Sequence, residues 1–268
     1  MLPSLIIIGA MKSGTTSLHN FLSRHPEIHM STPKELYFFD IKNNWTKGVD
    51  WYESHFSEDA KINGESSTNY TKFPTIKGVP KRMHSVIPKT KLIYIVRDPI
   101  ERIISHYIHN FAAGRESLEI SEALKNINRN RYIYPSLYHK QIQQYLGFYS
   151  RDRIQIIVFE ELLYSPQTQL KKILDFLEVD SDLIDTRFFL KSHESSRKIK
   201  LNKVGSFFAS VPWVPNINLK PFLVPIIGRK IPRPTLDLNF KKKLKEYLQE
   251  DIENLRELIQ NDLSCWNL

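Results

Sequence analysis

Two glycines and a lysine near the start of the chain form a pattern suited to binding a phosphate. In GAMKSGTTS, Gly9 and Gly14 have the four-residue gap of the Walker A motif, G-x-x-x-x-G-K-[ST]. Thr15 and Thr16 occupy the positions of the motif's lysine and hydroxyl residue, and the only lysine, Lys12, precedes the second glycine. The chain therefore lacks the lysine contact to the β- and γ-phosphates that is usual in an ATP site of this type.

The residues around Gly14 still predict an anion site. The backbone N–H groups of Ser13 to Ser17 would lie at a helix N-terminus, where they point at an oxyanion. Such a helix end contributes about 0.3–1 kcal/mol, and Lys12 supplies the cation that a doubly charged group needs. The hydroxyl donors of this segment are Ser13, Thr15, Thr16 and Ser17. The alternative interpretation is a purely structural glycine turn before a helix.

A second candidate phosphate contact follows another apolar stretch. KLIYIV ends at Val96; Arg97 comes next, and Ser105 lies eight residues further on, two turns into a predicted helix. The guanidinium of Arg97 offers a bidentate fork for a phosphate. The alternative is a structural salt bridge from Arg97 to Asp98 or Glu101.

Together these segments resemble the PAPS-dependent sulfotransferases, where PAPS is 3′-phosphoadenosine 5′-phosphosulfate. KSGTTSL resembles that family's 5′-phosphosulfate-binding loop, and IYIVRDPIERIISHY resembles its 3′-phosphate-binding segment. KELYFFD is similar to a segment of the glycan O- and N-sulfotransferases, the heparan sulfate enzymes included, in which a glutamate precedes an aromatic pair. HESSRK resembles a degenerate form of the loop that closes over the 3′-phosphate and adenine. The resemblance extends from Leu5 to about Arg197.

The resemblance implies sulfuryl transfer from PAPS without a metal ion, and it implies a role for each matching residue. Glu35 would be the general base, Lys12 would lie near the bridging oxygen of the donor, and Ser66 would assist by hydrogen bonding. The implied donor-binding residues are Lys12, Ser13, Gly14, Thr15, Thr16, Ser17, Arg97, Ser105, Arg197 and Lys198. Positioning and charge placement would supply most of the catalysis, as in phosphoryl transfer.

Three departures from the family pattern leave the acceptor open. Ser66 stands where the heparan sulfate enzymes typically carry a lysine, and Gln141 stands near a position where they often carry a histidine. The catalytic histidine of the hormone-sulfating branch has no match either. We expect a hydroxyl or amine acceptor of the carbohydrate or small-metabolite class, while lipid-linked sugars and peptide tyrosine stay open.

The elements that would position these residues alternate between strand and helix. Apolar runs predict buried strands at Leu5–Ile8, Lys91–Val96 and Arg153–Phe159, with a weaker candidate at Ile62–Glu65. Each of the first three is followed by a helical pattern, which predicts βαβ units and ligand binding at the carboxyl ends of the strands.

The predicted fold class is therefore α/β, with a central parallel sheet flanked by helices in a P-loop NTPase-like, sulfotransferase arrangement. We expect one domain over residues 1–268. Six prolines between Pro212 and Pro234 predict an irregular flap at about 205–235, either packed on the core or acting as an acceptor-binding lid. A regular apolar stripe predicts a C-terminal helix at about 239–260.

Composition narrows the classes of function. The chain has 268 residues and a formal net charge of +9, which favours an anionic partner, although a solvated basic surface is an equally simple explanation. Its single cysteine, Cys265, excludes an intramolecular disulfide and a cysteine-based zinc cluster. No apolar run reaches the length of a membrane span, and no signal peptide is apparent, so we expect a cytoplasmic protein.

Two other functions stay possible from the sequence. The first is a P-loop kinase or NTPase, which the misplaced Lys12 disfavours. The second is a non-enzymatic binder of nucleic acid or an anionic polymer, but the main basic cluster, Lys241–Lys245, is most simply a solvated helix face. We therefore expect a nucleotide donor and a separate acceptor as partners and expect no nucleic acid. The sequence does not indicate the oligomeric state.

Overall fold

A five-stranded parallel sheet forms the centre of the protein. The structure is a computed structural model that describes residues 1–183, 185, 199–201, 228–230 and 232–268. The strand order in the sheet is β2-β3-β1-β4-β5. The strands are β1 (Leu5–Gly9), β2 (Ile28–Met30), β3 (Ile62–Ser66), β4 (Lys91–Val96) and β5 (Ile154–Val158).

Helices cover both faces of this sheet. The helices before β5 are α1 (Thr15–Leu22), α2 (Gly48–Glu53), α3 (Val79–Val86), α4 (Pro99–Ala112), α5 (Ile120–Ala123) and α6 (Tyr138–Leu146). Those after β5, among the described residues, are α7 (Phe159–Tyr164), α8 (Pro166–Leu177) and α9 (Leu238–Ile259). A separate antiparallel pair joins β6 (Ile199–Leu201) to β7 (Gly228–Lys230).

Alternation along the strands divides the core into two layers. In β1, Ile6 and Ile8 belong to one buried cluster, which includes residues of α4, α6 and α9. Leu5 and Ile7 belong to the other cluster, which includes residues of α1 and α8. Successive side chains of a strand point to opposite faces, so a strand that is apolar throughout must be covered on both sides. This arrangement confirms the predicted parallel sheet flanked by helices.

The sequence located most of the elements but not all of them. Strands β1, β4 and β5 lie where they were predicted. The weaker candidate at Ile62–Glu65 is also a strand: it is β3, which lies inside the sheet between β2 and β1. Strand β2 was not predicted, because three residues are too short for a periodic signal. Most of the predicted proline-rich flap, about 205–235, lies outside the described residues.

The topology brings three strand ends to one edge of the sheet. Strand β1 pairs with β3 on one side and with β4 on the other, all parallel. Their carboxyl ends therefore lie side by side, and the segments that follow them can form one site. Asp98 caps the N-terminus of α4, two residues after the end of β4: its Oδ1 accepts hydrogen bonds from the amides of Ile100 and Glu101 at 2.9 and 3.0 Å.

Over the described ranges, no helix combines the length and the apolar character needed to span a bilayer.

Candidate active site

The loop after β1 has the backbone shape of an anion-binding turn. Gly14 precedes α1 with φ of 90°, in the left-handed region that favours glycine. A Cβ atom on Gly14 would lie 2.7 Å from the ring of Phe159, so a larger residue would also clash there. Lys12 has φ of 75°, an uncommon conformation for a residue with a side chain. The first backbone N–H groups of α1, which the helix itself does not pair, lie next to this turn.

A cavity of about 1110 Å³ opens at this edge of the sheet. Of the residues predicted from the sequence, it is lined by Lys12, Gly14, Thr15, Thr16, Ser17, Glu35, Arg97 and Ser105. Residues from the ends of three different elements thus meet around one space, as the strand order predicts. The cavity is large enough for a nucleotide with room for a second ligand.

Two predicted residues lie behind the cavity wall. Ser13 is fully buried, and its backbone N–H donates to the carbonyl of Ala10 at 3.1 Å. Ser66 is also fully buried, and its Oγ lies 2.9 Å from Nδ1 of His19. Neither hydroxyl lines the cavity in the described residues, so the assisting role predicted for Ser66 has no direct route to a ligand in this geometry. Arg197 and Lys198 lie outside the described residues.

Glu35 is held next to the phosphate-binding turn by a lysine. Nζ of Lys34 donates to Oε1 of Glu35 at 3.1 Å and to Oγ1 of Thr15 at 3.4 Å. The hydroxyl of Thr68, just after β3, donates to the same Oε1 at 3.2 Å. The side chain of Glu35 is 28% exposed and lines the cavity. The predicted base and the predicted donor loop are therefore linked through one ammonium group.

Arg97 connects the ends of β1 and β4. Its Nη1 donates to the carbonyl of Lys12 at 3.2 Å, and its guanidinium lies 5.1 Å from the centre of the Phe159 ring. Its Nη2 is 3.6 Å from Oε2 of Glu101, an ion pair of the kind weighed as the structural alternative. The same Glu101 carboxylate also binds Arg233. Since Arg97 lines the cavity as well, it can contact a ligand while it braces the loop.

The charge of the cavity lining is strongly positive. Glu35 is the only carboxylate among the described lining residues. The cations are Lys12, Lys34, Lys72, Arg97, Arg115, Arg131 and Arg233. Such a lining favours ligands that carry several negative charges.

Several residues that line the cavity were not predicted from the sequence. Phe159 comes directly after β5, at a strand end where the rule for parallel sheets predicts ligand binding, but no role was predicted for this residue. Lys72, Arg115 and Arg131 belong to no local motif and reach the cavity only through tertiary folding. His106 follows Ser105 within the quoted segment, but no role was predicted for it. Within the described part of the chain, no group of three or more His, Cys, Asp or Glu side chains could hold a metal ion.

Comparison with known proteins gives consistent matches. Residues 2–256 match the family model described as "Sulfotransferase domain". The human bifunctional heparan sulfate N-deacetylase/N-sulfotransferase 2 is 30% identical over 210 residues, covering 69% of this chain and 23% of that protein. The mouse heparan sulfate glucosamine 3-O-sulfotransferase 5 is 30% identical over 190 residues, covering 66% of this chain and 54% of that protein. The chain thus spans about a quarter and about half of these relatives.

Solved structures share the fold. A sulfotransferase from Alicyclobacillus acidocaldarius superposes with a TM-score of 0.73 at 24% identity, and the match covers 100% of both chains. A mouse sulfotransferase complexed with PAP superposes with a TM-score of 0.56 at 17% identity, covering 96% of this chain and 88% of that one. At these identities the likeness concerns the fold, and it confirms the predicted fold class.

Proposed function

The chain belongs to the sulfotransferase family, and on that premise we propose that it moves a sulfuryl group from PAPS to a hydroxyl or amine of an acceptor. The observation that carries this proposal is the link from Thr15 through Lys34 to Glu35. It brings a carboxylate to the turn that would hold the donor's 5′-phosphosulfate. A base must lie near the reacting group for proton transfer to help the reaction.

The donor's two phosphates would bind at two strand ends. The amides at the start of α1, with the hydroxyls of Thr15, Thr16 and Ser17, would hold the 5′-phosphate. Arg97 and Ser105 would hold the 3′-phosphate, and Lys12 would lie at the bridging oxygen between phosphorus and sulfur. Removing one well-placed donor of that kind typically costs about 2.7–4 kcal/mol of transition-state stabilisation. Arg197 and Lys198 would also bind the donor, in the loop that closes over the 3′-phosphate and adenine, and this role stays a prediction from the sequence.

The transfer is a single displacement at sulfur. The acceptor oxygen or nitrogen forms a bond to sulfur, while the bond from sulfur to the bridging oxygen breaks and leaves its electron pair on the 5′-phosphate. Glu35 takes the proton that the acceptor loses. The products are the sulfated acceptor and adenosine 3′,5′-bisphosphate (PAP). Charge on the departing phosphate grows during the step, and Lys12 would stabilise it more strongly in the transition state than in the ground state.

A carbohydrate is the acceptor class that the relatives favour. The two relatives described above are named for heparan sulfate, and this chain shares about 30% identity with each. The cavity has polar hydroxyl and cationic groups at its wall, which suit a sugar better than an apolar phenol or steroid. A small metabolite with a sugar-like pattern of hydroxyls fits the same description. The cytoplasmic location stays a prediction of the sequence.

The test is transfer of labelled sulfate from PAPS to a panel of sugars and small alcohols and amines. We expect measurable transfer by the wild-type protein and a fall in kcat of about 100- to 10,000-fold in Glu35→Gln, the range typical of a lost general base. The matched control is Glu58→Gln, an exposed carboxylate that does not line the cavity. Turnover of ATP without any sulfate transfer would instead favour the kinase or NTPase alternative.

The affinity for PAP separates donor binding from the proposed role of Glu35 as the general base. Glu35→Gln should bind PAP as tightly as the wild type does, because Glu35 contacts the acceptor side. If the variant transferred sulfate at the wild-type rate, Glu35 would not be the base. Salt-dependent binding of polyanions with no transfer to any acceptor would favour the non-enzymatic binder.

A further inference from the structure

The cavity contains more positive charge than the donor needs. The proposed donor contacts use Lys12 and Arg97, and Lys34 is paired with Glu35. Arg131 lies 3.0 Å from Glu116 and Arg233 binds Glu101, so the charges of these two arginines are also matched. Lys72 and Arg115 also line the cavity, and within the described residues no carboxylate lies within 4.0 Å of either.

Lys72 is aimed by two side chains in series. Its Nζ donates to Oδ1 of Asn69 at 2.6 Å. The amide nitrogen of Asn69 donates in turn to Oδ2 of Asp40 at 3.1 Å, and Asp40 is 2% exposed. Because Asp40 fixes which end of the amide faces Lys72, the ammonium is held in one place without a direct ion pair. One of its three donor hydrogens is used there, so the others can reach a ligand.

Burial makes this ammonium unusual. It lowers the pKa of Lys72 from 10.5 to about 8, with Arg102 and Arg115 acting in the same direction and Glu35 and Asp40 opposing it. The group is therefore mainly charged at neutral pH and poorly hydrated. An anion placed beside it would gain an interaction that water screens only weakly.

A buried histidine faces the same space. His106 lines the cavity, is 5% exposed, and has no hydrogen-bond partner for Nδ1 among the described residues. Burial holds its pKa well below the ordinary value, and the charges of Arg102 and Lys72 add to this effect. A buried, unpartnered nitrogen has a desolvation cost, and the neutral form of the imidazole keeps that cost small. Because Nδ1 itself is sealed from the cavity, His106 supplies a neutral wall near Lys72, and Lys72 is the group that can bind an anion.

We propose that the acceptor carries an oxyanionic substituent, a carboxylate or a sulfate ester, and that Lys72 binds it beside the group that Glu35 deprotonates. Asn69 and Asp40 are positioning residues for this contact, and the exposed Arg115 adds charge at its outer side. The inference rests on the proposed function for the identity of the site. It adds the chemical class of the acceptor and the residue that selects it.

The experiment measures ligand binding, so it does not depend on turnover. Three probes share one scaffold: p-nitrophenyl β-D-glucoside, the corresponding glucuronide, and the glucoside 6-sulfate. Each is titrated by calorimetry into the full chain saturated with PAP. We expect at least one of the two anionic probes to bind 10-fold or more tightly than the neutral glucoside, and comparison of the two identifies the preferred anion.

Variants locate the source of that preference. In Lys72→Met the anionic and neutral probes should bind within about 2-fold of each other, while Lys72→Arg should keep most of the preference. Asn69→Leu, which removes the aiming contact, should give an intermediate value. The matched control is Lys77→Met, an exposed lysine outside the cavity lining, which should behave as the wild type does.

Failure of this inference is distinct from failure of the proposed function. If neither anion binds more tightly than the glucoside to the PAP-saturated wild type, or if Lys72→Met weakens all three probes equally, the inference is wrong. In both cases the affinity for PAP stays intact. The absence of PAP affinity would instead overturn the proposed function.

Discussion

Arg97 has two tasks in the site, and they can be separated by choice of ligand. It donates to the carbonyl of Lys12 and pairs with Glu101, so it braces the loop, and it also faces the cavity. Only the second task would involve the donor's 3′-phosphate. A ligand that lacks this phosphate therefore reports on the loop alone.

Replacing Arg97 with methionine should weaken PAP binding selectively. A hydrogen bond to a charged group is worth about 1.5–3 kcal/mol, so we expect the Kd for PAP to rise by roughly 10- to 150-fold. The Kd for adenosine 5′-monophosphate should change by less than about 3-fold. Titration of both nucleotides into the wild type and the variant gives the comparison. Equal losses for the two nucleotides would mean that Arg97 serves only to brace the loop.

At the scale of elements, the turn between β1 and α1 depends on the start of α7. The ring of Phe159 fills the space where a Cβ atom of residue 14 would lie, and the same ring is covered by the guanidinium of Arg97. Three strand ends are thus packed together through one aromatic side chain. The turn keeps its shape because the packed side chains of Phe159 and Arg97 leave no room for a different backbone conformation.

Gly14→Ala should therefore destabilise the protein more than a similar change elsewhere. Both Gly14 and Gly114, which follows α4, have positive φ, but a Cβ atom on Gly114 would meet nothing within 4 Å. We expect both alanine variants to lose about 1–2 kcal/mol from backbone strain. Gly14→Ala should lose roughly 1–3 kcal/mol more from the clash with Phe159. Urea unfolding measures the difference, and equal losses would show that the ring moves aside freely.

Strands and helices could be predicted where the sequence has a regular local pattern. Site residues that meet only through contacts between distant parts of the sequence could not be predicted. The apolar runs predicted the positions of β1, β4 and β5, and Asp98-Pro99 predicted the start of α4. The site residues near these strand ends followed from the loop motifs. Lys72 and His106 could not be predicted, because the first lies in a turn after β3 and the second on the buried face of α4. Only the folded chain brings them together.

At the scale of the whole molecule, a buried carboxyl joins the sheet to the segment that carries Glu35. Glu65 in β3 accepts hydrogen bonds from the hydroxyls of Tyr52, Ser67 and Tyr70. The hydroxyl oxygen of Ser67 then accepts from the amide of Tyr37 at 3.0 Å, and that of Tyr70 from the amide of Phe39 at 3.2 Å. The stability of the fold and the place of the base therefore depend on one group.

This carboxyl should make stability depend on pH. Burial raises the pKa of Glu65 from 4.5 to about 7, although its hydroxyl partners oppose the shift. The folded state thus holds the proton more tightly than the unfolded state does. The stabilisation of the folded state by protonated Glu65 is therefore fully present below pH 4.5 and is lost as the pH rises through 7. The shift corresponds to about 3 kcal/mol of unfolding free energy.

Comparison with Glu65→Gln isolates this effect, because the amide does not titrate. Relative to that variant, the wild type should lose roughly 3 kcal/mol of unfolding free energy between about pH 5 and pH 8. Urea unfolding at several pH values measures it, and the other titrating groups cancel in the difference. A constant difference across this range would show that Glu65 does not change its protonation there.

At this scale the proposed function depends on which nucleotide the cavity binds. The net charge of +9 agrees with any anion. The early position of Lys12 disfavours ATP, and the pair Arg97 and Ser105, with the match to the sulfotransferase family, favours a nucleotide with a 3′-phosphate. The most direct measurement is calorimetric titration of the purified chain with PAP and, separately, with ATP and Mg²⁺. We predict binding of PAP at least 100-fold tighter than that of ATP. Equal affinities, or a preference for ATP, would contradict the account.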